Sequence, residues 1–307
     1  MHYSLGKIIK GWFSLCRPAF HAVGIAPFIL GTVLAYKLAA ALSLSVFFLG
    51  AAALILIVLA TYHAGEYFDY REDEISQKYY RCKFAGGSGV IQRGIVPRRA
   101  ALWSSIFSFA LAGCIGLVLQ FYFKTGPLTL LMGALGAFSG FFYSMRPVRL
   151  VERGFGEIFI GFCYGWLTIA SAFYIQTAMI HPLIHWLAIP VGLSIFNVIL
   201  LNEFPDYEAD RATGKKNILY RTGKKNGVIL YVILAVLASA AVFASTRLGV
   251  PFAVIFFYLP FFAVSLFIIF MLLRGKYEER KTLELLCGLN IAVNLGISLS
   301  FLLAYIK

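Results

Sequence analysis

Nine long apolar runs leave few folds open to this chain. A transmembrane helix needs about 20 apolar residues, and lipid requires each spanning segment to satisfy its own backbone hydrogen bonds. A transmembrane barrel would instead show short segments of alternating polarity. Because 60% of the 307 residues are hydrophobic and only 13% are charged, a soluble enzyme is excluded. We predict an all-α membrane protein with about nine transmembrane helices, at approximately 19–38, 44–63, 101–121, 128–145, 156–178, 183–201, 227–246, 251–273 and 283–305.

The basic residues are divided unevenly between the two sides of the predicted spans. Of the 27 lysines and arginines, 23 fall in the N-terminal segment and in every second loop after it. Short loops rich in Lys and Arg remain in the cytoplasm, so we predict a cytoplasmic N-terminus and an outer C-terminus. The net charge of +13 then reflects topology and gives no reason to expect a nucleic-acid partner. Part of it would attract membrane lipid headgroups or an anionic substrate.

All 14 acidic residues fall on the predicted cytoplasmic side, and six of them form two matched clusters. Each cluster has the spacing acid-x2-acid-x3-acid, with an aromatic residue after the first acid and a tyrosine after the second. The second cluster repeats the first at a constant offset of 137 residues. The six acids are Glu66, Asp69 and Asp73, then Glu203, Asp206 and Asp210. Because the clusters follow the second and sixth spans, the repeat is parallel, with two four-helix halves and a ninth helix.

Acids at this spacing share one face of a helix, so we expect the two clusters to face each other. Six facing carboxylates repel one another unless cations neutralise them, and Mg²⁺ takes one or two protein carboxylates while it bridges phosphates. We predict that the six acids hold two Mg²⁺ ions, which clamp a diphosphate. Arg146 and Lys215 flank the clusters and are expected to bind phosphate oxygens. The alternative, that the acids are solvated helix ends, does not account for their repetition at one offset.

The two acid motifs resemble those of the UbiA superfamily of intramembrane prenyltransferases. The resemblance covers nearly the whole chain, with nine helices and cytoplasmic acid motifs after helices 2 and 6. Two further stretches, 86–94 and 143–157, resemble the 1,4-dihydroxy-2-naphthoate (menaquinone-pathway) branch of the family. Gly65 departs from the family pattern, which usually has Asn there, and Glu66 and Glu203 stand where Asp is usual. These departures alter the metal geometry that the resemblance implies.

The resemblance also implies roles for individual side chains. Asp69 and Asp206 are the central acids, and Tyr143 is expected to face an allylic cation, which an aromatic ring stabilises. Substrate-binding roles are implied for Arg146, Lys215, Asn202, Ser88 and Arg71.

Together these features predict one integral-membrane domain over residues 1–307 that transfers a prenyl group from an allylic polyprenyl diphosphate to an aromatic acceptor. The resemblance implies 1,4-dihydroxy-2-naphthoate as the acceptor, a demethylmenaquinone as the product, and a prokaryotic cell membrane as the location. Two alternatives remain open: a UbiA-type terpene cyclase, which needs no aromatic acceptor, and a cation-coupled transporter, whose site would usually lie near the bilayer midplane. The sequence determines neither the prenyl chain length nor the oligomeric state.

Overall fold

The computed structural model describes residues 3–79 and 82–307, and this part of the chain contains helices and no strands. Eleven helices follow one another along it. They are α1 (Leu5–Cys16), α2 (Pro18–Ala39), α3 (Leu44–Phe68), α4 (Tyr70–Tyr79), α5 (Arg98–Tyr122), α6 (Leu128–Ser144), α7 (Gly156–Thr177), α8 (Pro182–Thr213), α9 (Ile218–Leu248), α10 (Ala253–Leu273) and α11 (Arg280–Ile306).

Eight of these helices are long and apolar enough to cross a membrane, and α6, with 17 residues, is a shorter ninth. The predicted all-helical membrane fold is therefore confirmed, and every predicted span falls on one of these nine helices. The largest differences concern α8, which continues to Thr213, and α9, which begins with a short turn at Ile218 that the non-helical Gly223 separates from the rest of the helix. Both extensions are rich in polar residues, so hydropathy alone does not detect them.

The spanning helices pack closely because small residues lie between them. α3 packs on α5, α8 on α9, and α2 on both α7 and α11. Between α7 and α8, a Cβ added to Gly165 would lie 2.7 Å from the Cα of Gly192, so only glycine allows this approach. Small residues at helix contacts are typical of membrane bundles, where the hydrophobic effect does not drive association between helices.

Buried amides join the helices of the second half. Asn290 on α11 donates to the Asn197 carbonyl on α8 at 2.9 Å and accepts from the Tyr231 hydroxyl on α9 at 2.9 Å. The Asn197 amide in turn donates to the Tyr231 carbonyl at 3.0 Å. Hydrogen bonds of this kind hold helices together where lipid offers no competing partner. They fix the position of α8, which carries the second acid cluster.

Candidate active site

One cavity of about 440 Å³ lies among the helices α2, α3, α5, α6, α7 and α8. All six carboxylates of the two clusters line one end of it. Along α3 the lining runs from Glu66 to Gly50, a distance of about 24 Å at the rise of an α-helix. Over that length the wall is apolar and contains many small residues, including Gly113, Gly133 and Gly136. The cavity therefore joins a charged end to a long apolar channel.

The first acid cluster lies across a kink at the end of α3. α3 ends at Phe68 and α4 begins at Tyr70, with Asp69 between them. Helical hydrogen bonding nevertheless continues, because the Asp69 N–H donates to the Gly65 carbonyl at 2.8 Å and the Asp73 N–H donates to the Asp69 carbonyl at 2.9 Å. The three acids therefore keep a helical spacing and line the same cavity.

The second acid cluster lies on α8, which runs through it without a break although Pro205 falls inside the cluster. Proline has no N–H for the carbonyl of Leu201, four residues earlier. The thiol of Cys287 on α11 donates to that carbonyl at 3.7 Å. Gly214 then ends α8 with a φ of 73°, a conformation that glycine adopts without strain. This turn directs the chain so that Lys215 lines the cavity.

Residues at the start of α9 donate hydrogen bonds to the second cluster. The N–H of Leu219 donates to Glu203 at 3.3 Å, and the Asn217 amide donates to Asp210 at 2.7 Å. The N–H of Ile218 donates to the buried Glu157 at 2.8 Å. The free N–H groups at the start of α9 therefore serve Glu157 and Glu203, as is typical of a helix N-terminus, while Asp210 is held by the side chain of Asn217.

The glycine-rich loop, residues 86–89, follows α4 and connects the two clusters. Ser88 donates to Glu66 from its N–H at 2.6 Å and from its hydroxyl at 3.0 Å. The Gly86 N–H donates to Asp206 at 2.6 Å, and the Ser76 hydroxyl donates to the other oxygen of the same carboxylate. A Cβ at position 87 would overlap the Asp73 carboxylate, so glycine is required there. The glycine-rich loop thus holds one acid from each cluster, Glu66 from the first and Asp206 from the second.

Two partly buried cations, Arg17 and Lys215, line the acidic end of the cavity. Arg17 Nη2 lies 3.7 Å from Glu66 Oε1 and also donates to the Gly86 carbonyl. Burial alone would lower the pKa of Lys215, but the charges of Asp69 and Asp210 raise it well above its ordinary value. Burial, together with the charges of Glu66 and Asp69, raises the pKa of Asp73 well above its ordinary value. The six acids therefore outnumber the cations near them, and the site favours the binding of further positive charge.

A third cation, Arg149, holds Asp69 from the side. Its guanidinium lies 3.2 Å from Asp69 and 2.6 Å from each of Glu72 and Glu152, and the Ser144 hydroxyl donates to Asp69 at 2.6 Å. Burial opposes ionisation of Glu72, but the hydrogen bond and charge of Arg149 hold its pKa below the ordinary value. Arg149 and Asp69 are only 5% and 8% exposed, so their ion pair lies inside the protein, whereas Glu72 and Glu152 are partly exposed.

The structure brings most of the predicted site residues together. Besides the six acids, Tyr143, Asn202 and Lys215 line the cavity. The ring of Tyr143 lies against Gly156, where a Cβ would come within 2.9 Å of it.

Three predicted substrate-binding residues are placed elsewhere. Ser88 contacts Glu66 rather than the cavity itself. Arg71 is exposed, and Arg146 has a side chain that is 76% exposed and pairs with Glu152 at 3.6 Å. Neither arginine lines the cavity.

Sequence reasoning missed five residues that hold the clusters: Arg17, Ser76, Ser144, Arg149 and Asn217. Arg17 precedes the first span, where a basic residue is already explained by membrane topology. Arg149 lies only three residues after Arg146, and nothing in the local sequence pattern distinguishes the two arginines. The serines carried no signal, since serine is common in membrane helices.

The oxygen atoms of the site suit a hard divalent cation. Asn202 Oδ1 is buried and has no hydrogen-bond partner among the described residues, and the buried Glu203 faces the carboxyl group of Glu157. Within residues 3–79 and 82–307, no three His, Cys, Asp or Glu side chains are arranged to hold one ion between them. Mg²⁺ typically takes only one or two protein carboxylates and completes its shell with water and substrate phosphates. The site therefore fits an ion shared with a phosphorylated substrate better than an ion enclosed by protein alone.

Comparison with known proteins identifies the family. Residues 25–292 match the model of the UbiA prenyltransferase family. A 1,4-dihydroxy-2-naphthoate octaprenyltransferase from Bacillus subtilis is 26% identical over 74% of this chain and 70% of its own. A 2-carboxy-1,4-naphthoquinone phytyltransferase from Synechocystis is 26% identical over 74% of this chain and 73% of its own. The structure of a UbiA homologue from Archaeoglobus fulgidus bound to GPP and Mg²⁺ superposes with a TM-score of 0.66 at 14% identity, covering 95% of this chain and 99% of that one. The chain therefore belongs to the UbiA prenyltransferase family, as the acid motifs predicted, and is an integral membrane prenyltransferase.

Proposed function

We propose that the protein uses Mg²⁺ to transfer a prenyl group from a polyprenyl diphosphate to an aromatic acceptor, 1,4-dihydroxy-2-naphthoate. The observation that carries this proposal is the division of the cavity into an acidic end and an apolar channel of about 24 Å. A prenyl diphosphate has the same division between an anionic head and an apolar tail. The names of the two bacterial relatives support the acceptor, and the homologue bound to GPP and Mg²⁺ supports the donor and the metal.

Glu66, Asp69, Asp73, Glu203, Asp206 and Asp210 would hold the metal, which we propose to be two Mg²⁺ ions. When bound, Mg²⁺ stabilises the negative charge that develops on the departing diphosphate. Arg17 and Lys215 line the same end of the cavity and contribute charge-assisted hydrogen bonds to that group. Asn202, whose Oδ1 has no partner among the described residues, completes the polar wall.

Tyr143 and the apolar wall act on the other half of the substrate. Tyr143 lines the cavity at the end of α6, beside the acidic end, where its ring can face the allylic carbon as positive charge develops there. The apolar side chains of the channel exclude water, which would otherwise capture the cation before the aromatic acceptor attacks it.

The positions of the side chains change three proposed roles. Ser88 positions Glu66 through two hydrogen bonds and is not proposed to touch substrate. Arg149 positions Asp69 and Glu72, a role that Arg146 does not share. Arg71 and Arg146 are assigned to membrane topology, since both are exposed on the side of the acid clusters. That side is proposed to face the cytoplasm.

The test is a product assay with purified protein in detergent, Mg²⁺, geranylgeranyl diphosphate and a panel of aromatic acceptors that includes 1,4-dihydroxy-2-naphthoate. We expect a prenylated product that has lost the carboxyl group of the acceptor, identified by mass. Diphosphate release with formation of a cyclic hydrocarbon, independent of any acceptor, would instead identify a terpene cyclase. Absence of both products under conditions where the protein binds prenyl diphosphate would overturn the proposal.

A further inference from the structure

Helix α1 has three faces of different character. One face packs on the protein through Gly11 and Leu15, in a cluster with Val90 and Ile95 of the segment that follows the glycine-rich loop. A second face is polar and carries Lys7, Lys10 and Ser14, all of them exposed. The third face is apolar and is covered by nothing in the described chain.

The uncovered face is a continuous stripe of three large apolar side chains. Leu5, Ile9 and Phe13 are 73%, 59% and 66% exposed. They follow one another at intervals of four residues, so they span a sector of only about 80° on the helix surface. The packed face adjoins the stripe on one side and the polar face adjoins it on the other. A helix lying in a membrane interface has this arrangement, with an apolar side in the acyl region and basic residues at its edge.

The position of α1 in the chain indicates which apolar phase covers the stripe. Arg17 alone separates α1 from the membrane-spanning helix α2, and its left-handed conformation (φ 48°) ends α1 there. The end of α1 is therefore fixed at the membrane surface on the side of the acid clusters. Lys7 and Lys10 lie on the adjoining polar face, and Lys7 Nζ is held 4.2 Å above the ring of Tyr3. Two ammonium groups beside an apolar stripe are complementary to anionic lipid headgroups above acyl chains.

We propose that α1 binds an anionic lipid surface, with Leu5, Ile9 and Phe13 inserted between acyl chains and Lys7 and Lys10 at the headgroups. This contact also holds the glycine-rich loop in place beside the active site. Arg17 follows the last residue of α1 and donates to the Gly86 carbonyl, while the packed face of α1 contacts the chain at 90–96. Docking of α1 on lipid therefore keeps Gly86 and Ser88 in place against Asp206 and Glu66.

The lipid contact can be measured without any assay of prenyl transfer. The full-length protein carries the photo-cross-linker p-benzoylphenylalanine at position 13, in nanodiscs of equal parts phosphatidylglycerol and phosphatidylcholine. The matched control carries it at position 14, one residue away on the polar face. We expect the probe at position 13 to cross-link phospholipid severalfold more than the probe at position 14, with phosphatidylglycerol enriched over phosphatidylcholine among the adducts. Equal yields at the two positions, or a cross-link from position 13 to a second copy of the chain, would overturn the proposal.

Two further measurements test the role of the lysines and the coupling to the loop. Lys7→Gln with Lys10→Gln should abolish the phosphatidylglycerol enrichment while lipid cross-linking at position 13 persists; unchanged enrichment would remove anionic lipid as the partner. Ile9→Glu with Phe13→Glu should increase hydrogen exchange of the amides at 84–96 severalfold, whereas Ser14→Glu should not. Equal exchange in both variants would show that lipid contact does not hold the loop. Retention of wild-type exchange in the spanning helices confirms that the variants are folded.

Discussion

At the scale of single residues, Asp69 and Asp206 occupy equivalent positions in the repeat but are held by different partners. Asp69 accepts from Ser144 and Arg149, whereas Asp206 accepts from Ser76 and the Gly86 N–H. Both nevertheless face the same cavity. The equivalence therefore lies in the site that they face and not in the surroundings that hold them.

We predict that Asp69→Asn and Asp206→Asn each eliminate most prenyl transfer while the protein stays folded. Asparagine keeps the shape of the side chain but loses the charge that a hard cation needs. Removal of one acid also relieves repulsion among the other five, and in Asp69→Asn the buried Arg149 keeps Glu72 and Glu152 as partners. Turnover and thermal unfolding in detergent, with and without Mg²⁺, measure the two effects. Glu208→Gln is the control, since this acid lies on the same helix with a side chain 55% exposed. Full activity in either variant, or a collapsed Tm, would contradict the prediction.

The arginines at 146 and 149 should behave very differently although they are three residues apart. Arg149→Met leaves the buried carboxylate of Asp69 and the partly buried carboxylate of Glu72 without this counterion, and loss of one partner of a buried ion pair such as Arg149–Asp69 costs about 3–5 kcal/mol. Arg146→Met removes one exposed ion pair, worth below about 1 kcal/mol. Denaturant or thermal unfolding in the same detergent measures the difference. Equal destabilisation by the two substitutions would show that the ion-pair cluster around Arg149 is not important for stability.

At the scale of elements, α6 determines how much room the apolar channel has. Gly133, Gly136 and Gly140 lie within a sector of about 60° on α6. This face points inward, because a Cβ at Gly136 would meet Leu167 of α7 at 3.7 Å and one at Gly140 would overlap Thr61 of α3. A Cβ at Gly133 would meet nothing within 4 Å. Position 133 therefore offers a place to fill the channel without moving a helix.

We predict that Gly133→Phe reduces kcat/KM for geranylgeranyl diphosphate about tenfold more than for geranyl diphosphate. Steric crowding in a packed interior costs about 1–3 kcal/mol, and only the longer tail should reach the obstruction. Gly133→Ala is the control and should leave the ratio of the two values unchanged. A uniform loss with both substrates would mean that the tail does not pass this part of α6.

At the scale of the whole molecule, the two halves of the bundle bring more negative charge to one place than the protein neutralises. We predict that chelation of Mg²⁺ weakens the binding of prenyl diphosphate as well as stopping turnover, because an anion is otherwise repelled by the six carboxylates. A charge-assisted contact is worth about 1.5–3 kcal/mol, so affinity should fall by about tenfold or more. Equilibrium binding of labelled geranyl diphosphate, with and without chelator, measures this. Equal affinity in the two conditions would exclude metal-bridged binding.

The sequence by itself determined the spans, the repeat and the acids. Each spanning helix makes its backbone hydrogen bonds within its own segment, so hydropathy along the chain suffices to locate it. The offset of 137 residues likewise placed Glu66, Asp69 and Asp73 opposite their counterparts, because equal spacing on equivalent helices produces equivalent faces.

The sequence also indicated Lys215, but only the tertiary structure decided which arginines serve the acids and how the cavity is shaped. Arg17 is far from Glu66 in sequence, and Arg149 is far from Asp69. Each arginine has a left-handed backbone conformation between two helical segments, and this turn of the chain brings it to its acid. Basic residues near a membrane obey a topological rule that holds for the whole loop, so the rule cannot select one arginine from its neighbours. The channel width depends on which faces of α3, α6 and α7 meet. Helix packing decides which faces meet. Because the spanning helices are apolar on nearly all sides, the hydropathy pattern does not predict which face of each helix points into the channel.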